Sequence, residues 1–78
     1  MAILIGKVLY KDDNILLMSV SGENPSHRRW RSVPTGYYFR NDKGYWYSLS
    51  PEWGHLYRMR YKGQYSLLEE LANDSQED

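Results

Sequence analysis

The chain has 78 residues, no cysteine, and ten acidic against ten basic side chains. Those figures point to one small domain with a thin core, and they exclude a disulfide framework, a thiolate zinc site and a cysteine nucleophile. The zero balance excludes a DNA mimic, which would need strong negative charge.

Residues 2 to 10, Ala-Ile-Leu-Ile-Gly-Lys-Val-Leu-Tyr, are apolar and β-branched and predict a first strand. The apolar start is broken by Lys7, which is too early for a signal segment or a bilayer span. A soluble, cytoplasmic chain without membrane contact is therefore expected. Lys11-Asp12-Asp13-Asn14 predicts a turn, with Asn14 able to take a left-handed conformation beside a bulge. Ile15 to Val20 returns as a second strand. Ser21 to Arg28 reads as a loop, being rich in Gly, Pro, Asn and Ser.

Arg29 to Phe39 reads as a strand interrupted at Pro34-Thr35-Gly36, because proline cannot donate to a ladder. Arg40-Asn41-Asp42-Lys43-Gly44 predicts a second hairpin turn, and Tyr45 to Leu49 the strand that returns from it. Ser50-Pro51-Glu52-Trp53-Gly54 suits one 3₁₀ turn. The next strand, 55 to 62, shows the cleanest period-2 alternation: Tyr57, Met59 and Tyr61 on one face, Arg58, Arg60 and Lys62 on the other. Ser66-Leu67-Leu68-Glu69 matches a capping box, so a short helix is expected over 66 to 73, docking Leu67, Leu68 and Leu71. Residues 74 to 78 form an acidic tail with nothing to bury.

The fold class that follows is mainly β. It is a small five-stranded antiparallel SH3-like barrel or rolled sheet with a short C-terminal α-helix, one domain over residues 1 to 73.

Two short stretches resemble known families. Asn14-Ile15-Leu16-Leu17-Met18, followed by Arg29-Trp30-Arg31-Ser32-Val33-Pro34-Thr35-Gly36, resembles the opening of a Nudix hydrolase. That family's glutamate-rich metal box has no counterpart here, so the resemblance implies no catalysis. Val33-Pro34-Thr35-Gly36-Tyr37-Tyr38 resembles the Ile-Pro-Ser-Asn-Tyr stretch of peptide-binding SH3 domains, but lies mid-chain.

No phosphate-binding glycine loop or nucleophile elbow occurs. His27 and His55 lack ligand spacing, so no metal and no cofactor is expected. The carboxylate pairs Asp12-Asp13 and Glu69-Glu70 suit a turn and a helix start better than acid–base work. The chain reads as non-enzymatic.

Charge and rings suggest binding instead. Residues 27 to 62 carry Arg28, Arg29, Arg31, Arg40, Lys43, Arg58, Arg60 and Lys62 against Asp42 and Glu52, a balance of +6. Residues 63 to 78 carry a balance of −5. Eight Tyr, three Trp and one Phe are more rings than so small a core encloses, so some must face solvent. The candidate binding residues are Arg28, Arg29, Trp30, Arg31, Tyr37, Trp46, Trp53, Arg58, Arg60 and Lys62. The favoured reading is a protein-binding module, a regulator, inhibitor or adaptor of a larger protein. Chains of this composition occur among phages and mobile elements, and a homodimer is a related form of the same reading. The alternative is a nucleic-acid-binding barrel that uses the basic segment 27 to 62.

Overall fold

A computed structural model describes residues 4 to 22 and 33 to 74. Five strands run in chain order: β1 (Leu4–Lys11), β2 (Leu16–Gly22), β3 (Gly36–Arg40), β4 (Trp46–Ser50) and β5 (His55–Arg58). One helix among the described residues, α1 (Lys62–Asp74), follows β5. Each strand pairs antiparallel with the next, giving the simple order β1-β2-β3-β4-β5. The sheet is open. Barrel closure, expected from five strands and two tight hairpins, would need β1 and β5 to pair, and they stand at opposite edges.

The two predicted hairpins form, each through a side chain that caps its own turn. Asp12 accepts hydrogen bonds from the backbone N–H groups of Asn14 and Ile15, both at 2.8 Å. Those bonds stabilise the ionised carboxylate and hold its pKa below the ordinary value. Asn14 does not take a left-handed conformation; positive φ occurs only at glycine among the described residues. The bulge sits instead between Val8 and Tyr10. In the second turn the Asn41 side chain accepts from the N–H groups of Lys43 and Tyr45, while Gly44 supplies the positive φ of 87°. At the third turn the Gly54 N–H donates to the Ser50 carbonyl at 2.7 Å, an i to i+4 closure wider than a 3₁₀ turn.

Strand alternation divides the sheet into two unlike faces. On one face lie Leu4, Leu16, Met18, Val20, Tyr38 and Trp46, all buried. Helix α1 lays Leu67, Leu68 and Leu71 on this face, and Val33 and Met59 complete the core. The helix passes close over β1 because Gly6 allows it. A Cβ at Gly6 would stand 2.9 Å from both the Leu71 Cβ and the Met18 Sδ, closer than carbon atoms pack.

The helix begins at Lys62, four residues before the expected start, and runs to Asp74. The Gln64 side chain reaches back to accept from the Tyr61 N–H at 3.1 Å. This is the reach-back half of a capping box, placed one turn earlier than Ser66 and Glu69. Ser66 therefore lies inside the helix, exposed. Strand β5 correspondingly ends at Arg58 and does not continue to 62. No helix among the described residues is long and apolar enough to cross a membrane.

Candidate functional site

The sheet face opposite the helix carries two cross-strand rows. The first is Lys7, Ser19, Tyr37, Leu49, Leu56; the second is Tyr10, Leu17, Phe39, Tyr47, Arg58. Seven of these ten side chains are aromatic or aliphatic. Tyr10, Tyr37 and Leu56 are exposed at 51%, 42% and 49%, as is Ile5 beside them at 59%. Leu17, Phe39, Tyr47 and Leu49 are half-buried, shielded by their neighbours in the rows. The Phe39 and Tyr47 rings stand 6.2 Å apart in a tilted pair. No element among the described residues lies over this face. Five strands about 4.8 Å apart and about five residues deep give it roughly 300–400 Å². Clusters of exposed apolar side chains such as Ile5, Tyr10, Tyr37 and Leu56 are often functional on small proteins.

A second feature lies where β5 passes into α1. Tyr45, Arg58, Met59, Arg60, Lys62 and Tyr65 line a cleft of about 650 Å³. Three of the six are cations and none is acidic. The Arg58 guanidinium lies over the Tyr45 ring, 4.4 Å from its centre, a cation–π contact that fixes its position on the rim. Tyr65 is anchored by its hydroxyl, which donates to the Met59 carbonyl at 3.0 Å. Lys62 is the first residue of α1, so the positive end of the helix dipole adds to the side-chain charge.

Glu69, on the helix, does not neutralise this cluster in the way the charge map invites. Glu69 is committed elsewhere. Its Oε1 accepts from Arg40 at 2.8 Å and its Oε2 accepts from the Trp46 indole N–H at 2.9 Å. No ion pair joins Arg58, Arg60 or Lys62 to another described residue, whereas Arg40 pairs with Glu69.

The residues expected to bind separate into distinct groups. Tyr37 stands on the uncovered face, and Arg58 ends one of its rows. Trp53 projects from the β4–β5 turn at 72% exposure. Arg58, Arg60 and Lys62 do not form one face of a strand, since the strand stops at Arg58, but they do meet at the cleft. Trp46 is a correction. It is fully buried, and its one polar atom is bonded to Glu69, so it cannot stack on a partner. Arg28, Arg29, Trp30 and Arg31 lie outside the described residues. Sequence reading passed over Tyr45, Met59 and Tyr65 as cleft residues, and over Leu17, Phe39, Leu49 and Leu56 as surface. The signal for Tyr65 was its i, i+3 spacing from Lys62, visible only once the helix starts at 62.

No protein-family model, curated protein or solved structure matches this chain.

Proposed function

We propose that the chain is a non-enzymatic protein-binding module, a regulator, inhibitor or adaptor of a larger protein, and that it docks through the sheet face opposite the helix. One observation carries the reading: two continuous rows of Tyr, Phe and Leu side chains that no described element covers. Leaving so much apolar surface in water is unfavourable by about 25 cal/mol per Å². A partner that covers it recovers that free energy. Tyr and Phe are also the residue types enriched at the centres of interfaces. Lys7 and Arg58, at opposite ends of the two rows, favour a partner patch that is apolar at its centre and acidic at its rim. Trp53, at the tip of the β4–β5 turn, is a further anchor on the exposed surface.

A tagged copy of the chain, incubated with lysate and nuclease, tests this. The expected result is one protein retained in fixed ratio, lost with the Tyr37→Ser, Leu56→Ser double variant and kept with Ser66→Ala on the helix. A partner that ignores the double variant would remove the sheet face as the docking surface. The second reading, nucleic acid, is favoured by the three cations at the cleft. It predicts that nuclease releases every partner.

A further inference from the structure

The cleft at the β5–α1 junction is a site of a different kind from the sheet face. Its volume of about 650 Å³ falls within the ~300–1,000 Å³ of small-molecule pockets. A single inorganic anion would fill only a small part of it. Its lining divides by chemistry. Arg58, Arg60 and Lys62 supply three positive charges with no carboxylate among the lining residues. Tyr65 supplies a half-buried ring, fixed by the bond from its hydroxyl to the Met59 carbonyl. The Tyr45 ring is already occupied by Arg58. An anionic group at one end and a flat apolar body at the other would satisfy both parts.

We propose that this cleft binds a nucleotide, with its phosphate held by Arg58, Arg60 and Lys62 and its base against Tyr65. A phosphate monoester carries between one and two negative charges at neutral pH, which three cations balance with charge to spare. Arg adds planar, forked donors that match phosphate oxygens. The rest of the molecule favours a compact anion over an extended one. Helix α1, which follows the cleft, carries Glu69, Glu70 and Asp74, and these oppose close contact of a long polyanion along it. Arg58 also ends one row of the sheet face, so Arg60 and Lys62, which lie outside β5, separate this site from that one.

The test is an amide NMR titration of the full chain with adenosine 5′-monophosphate, inorganic phosphate, adenosine, and a short single-stranded oligonucleotide. The monophosphate should shift the amides of residues 58 to 62 and Tyr65, and should bind at least about tenfold more tightly than phosphate or adenosine alone. Arg60→Gln and Lys62→Gln should each weaken it by about tenfold, as expected for one lost charge-assisted hydrogen bond. Both positions are exposed, and an unchanged spectrum elsewhere in each variant verifies its fold. Arg58→Lys keeps the charge and should lose less affinity than Arg58→Gln. Absence of shifts at millimolar monophosphate would overturn the proposal. So would equal affinity for inorganic phosphate, which would mark a bare anion site, or binding of the oligonucleotide alone, which would mark a polymer surface.

Discussion

Tyr38 shows how one residue ties folding to pH. Its side chain is 1% exposed, and its hydroxyl donates to the Pro34 carbonyl. Burial disfavours the phenolate and pushes the pKa from 10.0 up to about 12. A group whose folded pKa is raised contributes stability that is complete below its unfolded value and is lost as pH rises through its folded value. Tyr38 therefore stabilises the fold below pH 10 and ceases to do so as pH climbs toward 12. Replacing it with Phe deletes one hydrogen bond, worth about 0.5–1.5 kcal/mol, and also deletes the titration. Urea midpoints should place Tyr38→Phe below wild type at pH 8, with the gap narrowing or reversing above pH 10. Groups common to both proteins cancel in that comparison. A gap that stays constant across the alkaline range would mean the phenol is not held neutral by burial. At the same scale Trp46 shows what was and was not legible. Period-2 alternation along β4 sets Trp46 and Tyr47 on opposite faces. The pattern could not say which face the helix would cover, because both carry rings.

The helix is held at the element scale by Glu69. Its carboxylate joins Arg40 on β3 and Trp46 on β4 at once. The two halves of that contact differ in worth. Arg40 and Glu69 are partly exposed, with side-chain exposures of 28% and 41%, so their pairing should contribute under about 1 kcal/mol. The Trp46 N–H is buried, and an unmade bond there costs about 1–3 kcal/mol. Glu69→Ala should therefore destabilise by about 1–3 kcal/mol. Glu69→Gln, which keeps an acceptor oxygen for the indole, should cost clearly less. Ser66→Ala should be neutral or slightly stabilising, since Ser66 lies inside the helix and Ala is the better helix former. Urea unfolding of the three variants checks the order. A loss for Ser66→Ala as large as that for Glu69→Ala would move the helix start back to residue 66. The local pattern Ser66-x-x-Glu69 was a true match to a capping box, yet it was overridden. Glu69 found partners 23 and 29 residues away, which no local pattern contains. The helix start at Lys62 is marked instead by the bond from the Tyr61 N–H to the Gln64 side chain. The hairpins, by contrast, were legible because their turns are closed by adjacent side chains, Asp12 and Asn41.

Among the described residues the molecule is one-sided: a helix covers one face of an open sheet and no element covers the other. That asymmetry was invisible in the sequence for a physical reason. Strands β1 to β4 place large apolar residues at both parities, which suits a closed barrel as well as a sheet with one face waiting for a partner. The basic trio was legible as a cluster but not as a cleft, because Tyr45 and Tyr65 reach it from other elements. The one-sided architecture predicts a sharp contrast between equivalent substitutions. Met18 on the covered face is fully buried, so Met18→Ala should cost about 2–5 kcal/mol through lost burial and a residual cavity. Tyr37 and Leu56, one row over on the other face, have exposures of 42% and 49%. Tyr37→Ser and Leu56→Ser should each change stability by no more than about 0.5 kcal/mol, as surface positions do. Urea unfolding at low protein concentration gives all three values on one scale. A second series at high concentration asks whether wild type gains stability that the Tyr37→Ser, Leu56→Ser variant does not, the signature of copies covering the face for one another. If the surface substitutions prove as costly as Met18→Ala even at low concentration, the rows are a second core of the monomer rather than a docking surface.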